Sequence, residues 1–217
     1  MDAANQDEIL VRLTDQERGF LKRHGIEAHE VFDAAGFSQP DYRSQMSLHE
    51  KTIAINVTPC GRFGHTMRTG GGHCAQCNPA ALAFQKRYRQ KAYVYIAGSK
   101  GQRILKVGFS EQPNAREAIL NSLRYGSASD WTLLFHVRCK RAGSVEGSLL
   151  VLHRDSSVFG DYWKGTKYQR CLELLRCNYS ALRASIETLL DIETMLGAWE
   201  HVAAATDFNF GAKDLAR

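Results

Sequence analysis

The chain has 217 residues, of which 44% are hydrophobic and 24% charged, with a net charge of +5 and a pI near 8.9. This composition is ordinary for a soluble globular protein and supplies enough apolar content for a core in one large or two small domains. No apolar run approaches the roughly 20 residues that span a bilayer, so a membrane location is not expected, and the mild basicity permits a polyanionic partner without requiring one. The start, Met1 to Glu8, is acidic and polar, the opposite of a signal peptide. A cytoplasmic protein with reduced cysteines is expected.

Residues 1 to about 36 read as helical. Thr14 is a good N-cap with Glu17 at the capping-box position, and Gly25 and Gly36 are stop signals. A strand-like run follows at Thr52 to Val57, then a Gly-, Cys- and His-rich loop from Cys60 to Cys77. Residues 79 to 91 look helical and end in the basic run Lys86-Arg87-Tyr88-Arg89-Gln90-Lys91. From residue 92 the pattern becomes strand, turn, strand, helix, strand, helix. Tyr93 to Ala97 and Ile104 to Val107 are strands around the turn Ser99 to Gln102. Pro113 to Arg124 starts a helix, Trp131 to Val137 is strand-like, and Ser144 is placed to cap a helix that carries Glu146, Leu150 and His153 on one face. Residues 160 to 204 read as a loop and then mostly helix.

The Cys60-x4-His65-x8-Cys74-x2-Cys77 spacing fits tetrahedral zinc, and four protein ligands leave no open position, which makes the expected Zn²⁺ structural. The loop has little apolar content of its own, so metal binding would supply much of its folding energy. His73 rivals His65 as the fourth ligand. A catalytic role for this Cys/His set is disfavoured by the same absence of a spare position.

In the strand region, alternation places Val94, Ile96, Leu105 and Val107 on one face and Tyr93, Tyr95 and Lys106 on the other. A turn centred on Lys100-Gly101 would set Tyr95 opposite Lys106, with Cβ atoms about 5 Å apart. A nearby ammonium stabilises a phenolate, so Tyr95 with Lys106 could activate water. Arg116 could grip a phosphate oxygen, and Glu146 could bind Mg²⁺ or Mn²⁺. The basic run, with Lys51, Arg62 and Arg68, could form a phosphate-binding surface on which Tyr88 stacks. That makes Lys86, Arg87, Tyr88 and Arg89 candidate nucleic-acid contacts. His136 reads as structural.

These residues resemble the GIY-YIG nuclease family. The first triplet would be Tyr93-Val94-Tyr95 and the second Lys106-Val107-Gly108, with eleven residues from Tyr95 to Lys106 and ten from Lys106 to Arg116. The resemblance is nearest to the phage-type branch with lysine in the second triplet, and it covers roughly residues 92 to 180. It departs at Tyr93, where the family name has Gly, and at Lys106, where it has Tyr. It implies Tyr93, Tyr95, Lys106, Arg116, Glu146 and His153 as site residues, His153 in place of a late Asn. It also implies a late Glu matching Glu173, and products with 5′-phosphate and 3′-hydroxyl ends.

The expected fold is α+β. A helical, zinc-stabilised region over 1–90 precedes a small, mainly antiparallel sheet flanked by helices over 91–217. The expected function is a one-metal DNA endonuclease, on single or double strands. A homodimer, or two successive events, would cut both strands of a duplex. The alternative from another class is a non-catalytic DNA-binding or regulatory protein that keeps the fold.

Overall fold

The computed structural model describes residues 13–210 and divides the chain into two compact units, 1–87 and 88–217. The helix expected over residues 1–12 lies outside the described residues. The chain is α+β, with a mainly antiparallel sheet flanked by helices.

In the first unit, helix α1 (Asp15–Arg23) starts at the expected capping box. Thr14 accepts from the Glu17 amide, and Glu17 accepts from the Thr14 amide at 2.9 Å. It ends at His24, and Gly25 takes the left-handed conformation (φ 56) that closes helix ends without Cβ strain. The expectation of helix as far as residue 36 is corrected. Strand β1 (Val31–Asp33) follows, then α2 (Gln39–Leu48), β2 (Ile53–Ile55) and β3 (Arg68–Thr69). β1 pairs parallel to β2, and β2 antiparallel to β3. Val31, Ile53 and Ile55 are buried with Phe20, Leu21 and Leu82, so three-residue strands gain their stability from the core they cover. Helix α3 (Pro79–Arg89) completes the unit.

The second unit is a six-stranded antiparallel sheet in the order β7-β8-β5-β4-β6-β9. Its strands are β4 (Ala92–Ser99), β5 (Ile104–Ser110), β6 (Trp131–Cys139), β7 (Ser157–Lys164), β8 (Lys167–Leu175) and β9 (Trp199–Glu200). Between β5 and β6 lies α4 (Arg116–Ser122), and between β6 and β7 lies α5 (Ala142–Leu152). After β8 come α6 (Tyr179–Leu189) and α7 (Ile192–Leu196), and α8 (Ala204–Asp207) follows β9. One core cluster joins Val94, Ile96, Leu105 and Val107 to Leu149, Leu182 and Ile186. Another joins Tyr95, Ala97 and Ile104 to Leu120, Tyr125, Trp131 and Leu174. Alternation along β4 and β5 therefore divides the two clusters as the sequence pattern requires.

Three expectations are corrected here. Residues 157 to 175 form the β7–β8 hairpin and not a loop. Ser144 is not the N-cap of α5. That helix begins at Ala142 behind a left-handed Arg141, whose carbonyl accepts from the Ser144 and Val145 amides. The β4–β5 register also differs: Tyr95 faces Gly108, and Lys106 faces Ala97. Asp130 braces the turn in this register. It accepts from Ser99 Oγ at 2.5 Å and from the Gly101 amide at 2.7 Å, and Arg103 turns left-handed (φ 52). The turn therefore centres one residue later than expected. A one-residue move of the centre shifts pairing by two, which leaves every side chain on its face.

Candidate functional site

The first candidate is the Cys/His loop. Cys60 Sγ and Cys77 Sγ lie 3.8 Å apart, His65 Nδ1 is 3.3 Å from Cys77 Sγ, and it is 3.6 Å from Cys74 Sγ. Zn–S bonds near 2.3 Å put the sulfurs of a tetrahedral site about 3.8 Å apart, with N···S edges slightly shorter. The cluster could bind a metal such as zinc, and His65, not His73, belongs to it.

Backbone geometry prepares these sulfurs. The Phe63 amide donates to Cys60 Sγ at 3.4 Å, and the Cys77 amide donates to Cys74 Sγ at 3.5 Å. The Phe63 amide is the first reason that the Cys60 thiol is held down to about 6. Desolvation, then the facing Cys74 and Cys60, push Cys77 up to about 11. Three thiolates this close repel one another, and a divalent cation removes that repulsion. The loop is less devoid of core than its composition suggests. Met67 and Ala75 are fully buried, and Thr66 donates to Glu17 Oε1 at 2.5 Å, tying the loop to α1.

The second candidate lies on the sheet of the second unit. Tyr95 is fully buried, and its ring lies across the facing Gly108. A Cβ at Gly108 would meet the Tyr95 hydroxyl at 2.5 Å. Arg116 Nε donates to that hydroxyl at 3.4 Å, with its guanidinium 5.7 Å from the ring centroid. Helix α4 holds Arg116 there through two anchors on β6. Glu117 accepts from the Leu133 amide at 2.8 Å, and Asn121 pairs with the Trp131 backbone at 2.7 and 2.9 Å.

Lys106 is buried, and its ammonium donates to Glu173 at 3.1 Å and to the Val107 carbonyl at 3.2 Å. It sits 4.8 Å from the Tyr125 ring centroid and 6.0 Å from that of Tyr95. Desolvation opposes its charge, but Tyr95, Glu173 and Glu146 together raise its pKa above the ordinary value. Glu173 answers with a lowered pKa. Burial would raise it, and the Lys106 charge and the Tyr125 hydroxyl outweigh that.

Glu173 reaches Lys106 because of an irregularity. Between the pairs Val158↔Leu174 and Gly160↔Cys171, β8 carries one residue more than β7, a bulge that re-aims side chains. Tyr125 was missed by sequence reasoning. It follows the left-handed Arg124 in a short 3-10 turn, where no periodicity marks it.

Other expected residues are placed as follows. Glu146 is half-buried on α5. His153 caps the end of α5 and bonds Ser185 of α6 at 2.9 Å, a contact between helices. Tyr93 meets the His136 ring edge-on at 5.2 Å, and His136 stacks on Trp199 at the same distance. In the basic run, Lys86 donates to the His24 carbonyl at 2.7 Å and so closes α1. The Tyr88 ring packs on α5 against Gly143 and Gly147, which leaves it committed to packing and not open as a stacking platform. Lys51 bonds the His29 carbonyl at 2.6 Å, and Arg68 bonds that of Thr58 at 2.9 Å.

Compared with family models, curated proteins and solved structures, the chain finds no match in any of the three.

Proposed function

We propose that the second unit is a metal-dependent endonuclease of GIY-YIG type that hydrolyses DNA phosphodiester bonds. The supporting observation is the gathering of Tyr95, Lys106 and Arg116, from two strands and a helix, with the Glu146 charge acting on the same ammonium. A phenolate between two cations could take a proton from water and become the phenol. The register change moves the closest cation from Lys106 to Arg116. Arg116 therefore has two tasks: to stabilise the phenolate, and to turn its fork onto an arriving phosphate. Lys106, buried and charged, fixes the field of the site. Glu173 and Tyr125 position it.

Among the described residues, the Cys/His group is the one cluster of three or more metal-ligating side chains. Glu146 alone therefore suits Mg²⁺ or Mn²⁺, which keeps several waters and takes further oxygens from a phosphate. Glu146 would hold such a metal, which would supply charge stabilisation to the leaving 3′ oxygen. The zinc of the first unit is structural in this reading, since its four ligands close a tetrahedron.

The test is Glu146→Gln. DNA binding should persist while cleavage falls about 100-fold or more; full activity in this variant would overturn the metal assignment. The full burial of Tyr95 and the hold of Glu173 on Lys106 favour a second reading, a DNA-binding protein without turnover. Absence of cleavage from folded, zinc-loaded protein on every DNA form would select it.

A further inference from the structure

The outward face of the β7–β8 hairpin is apolar where a one-sided sheet should be polar. Register fixes which residues stand on it. Val158 and Tyr162 pack inward on the core, and the Tyr162 hydroxyl donates at 2.7 Å to its cross-strand partner Gln169. Alternation then puts Phe159, Asp161 and Trp163 of β7 outward, beside Leu172, Arg170 and Tyr168 of β8. Phe159 is 83% exposed, Trp163 59%, Tyr168 61% and Leu172 70%. The same alternation sends Lys164 and Lys167 to the side of Tyr162 and Gln169. The outward face therefore carries one acid and one base and no net charge. β7 is an edge strand, and folded chains ordinarily avoid an uncovered apolar surface at an edge.

A neutral, apolar face suits a second copy of itself, and its register is self-complementary. Asp161 pairs with Arg170, and Trp163 with Tyr168, across the hairpin. Consider a twofold axis between two such faces, parallel to the strands and midway between β7 and β8. It exchanges the two strands, so Asp161 meets Arg170 of the other copy and Trp163 meets Tyr168 of the other copy. Phe159 comes over Leu172 in the same way. Each charge then finds its opposite and each ring an apolar side chain, as an isologous interface requires. Packed sheets of this kind lie about 10 Å apart with their strands nearly aligned. The four apolar side chains expose on the order of 500 Å² per copy, well over half of the roughly 800 Å² that each partner buries in a stable interface. Trp163 and Tyr168 already contact each other at 5.3 Å, and the Arg170 guanidinium rests 5.4 Å from the Phe159 ring centroid. These side chains are held in place before association, which lowers the entropy lost on binding.

We propose that the chain forms a twofold dimer through the outward face of the β7–β8 hairpin. Asp161 pairs with Arg170 of the other copy, and the Trp163–Tyr168 and Phe159–Leu172 rows pack on either side. The ion pairs fix the register of the two copies more than they add affinity. The proposal goes beyond the nuclease reading and does not depend on it.

Sedimentation equilibrium of the full zinc-loaded chain tests it. The wild type should be a dimer at micromolar concentration. Phe159→Ala with Trp163→Ala replaces exposed side chains, so the fold should persist, and association should weaken about 30-fold or more. Asp161→Arg alone and Arg170→Asp alone should each be monomeric, because like charges then meet at both symmetry-related contacts. An equimolar mixture of these two variants should regain a dimer, because each new charge finds its opposite in the other chain. That rescue separates the proposed axis from misfolding. A wild type still monomeric at about 100 µM would overturn the proposal and leave the face to another partner. So would a dimer that ignores the aromatic substitutions, or charge-reversed variants whose mixture stays monomeric.

Discussion

Gly108 sets the position of Tyr95. The tyrosine ring occupies the space a Cβ would take, so Gly108→Ala should force the ring aside and cost about 1–3 kcal/mol by overpacking. Urea unfolding would measure it, and an unchanged midpoint would show that the ring lies elsewhere. The Lys106–Glu173 pair carries a pH signature. Glu173 has a lowered pKa, so its contribution is present above the unfolded carboxylate range and is lost as pH falls through the folded value. Lys106 has a raised pKa, so its contribution is present below the unfolded lysine value and is lost as pH rises through the folded one. The pair should therefore be fully effective between about pH 5 and pH 10. Glu173→Gln should destabilise the protein across that window and remove part of the acid-side loss of stability. An identical pH profile in the variant would deny the pair. At this scale the sequence was legible as parity, since Tyr95 and Lys106 share a face by alternation alone. Which residue faces which was not, because that depends on Asp130, some thirty residues away, pinning the turn.

The Cys/His loop was legible as an element because ligand spacing is written along the chain. The choice between His65 and His73 was not, because the direction of a ring depends on the turn around Gly72 (φ 84). The β7–β8 hairpin escaped notice for a related reason. Phe159, Tyr162 and Trp163 lie on both faces of β7, so apolar alternation vanishes, and the bulge at β8 breaks the period again. The short strands β1 and β3 carry too few residues to show any period. For the loop, the expected result is one zinc per chain and its loss in Cys74→Ser. All three tryptophans lie in the second unit. Strong chelation should therefore change far-UV circular dichroism and leave tryptophan fluorescence nearly as it was. Unaltered circular dichroism after complete metal removal would show that Met67, Ala75 and the Glu17–Thr66 bond hold the loop without metal.

For the whole molecule, the net charge of +5 permits a polyanion but does not locate it. The basic run after residue 85 was legible as charge, yet Lys86 serves the end of α1 and Tyr88 packs on α5. Arg87 and Arg89 are the run's remaining candidates for phosphate contact, as the sequence reading proposed. Replacing both with alanine should lower the slope of log affinity against log salt by about 1.8 on duplex DNA; an unchanged slope would remove the run from the binding surface. The decisive measurement is cleavage of supercoiled plasmid and labelled single-stranded DNA by the zinc-loaded chain, with Mg²⁺ and with EDTA. The account predicts Mg²⁺-dependent cutting of one or both substrates, absent in EDTA and reduced about 100-fold or more in Glu146→Gln. Cutting that persists in EDTA, or no cutting of either substrate, would contradict it.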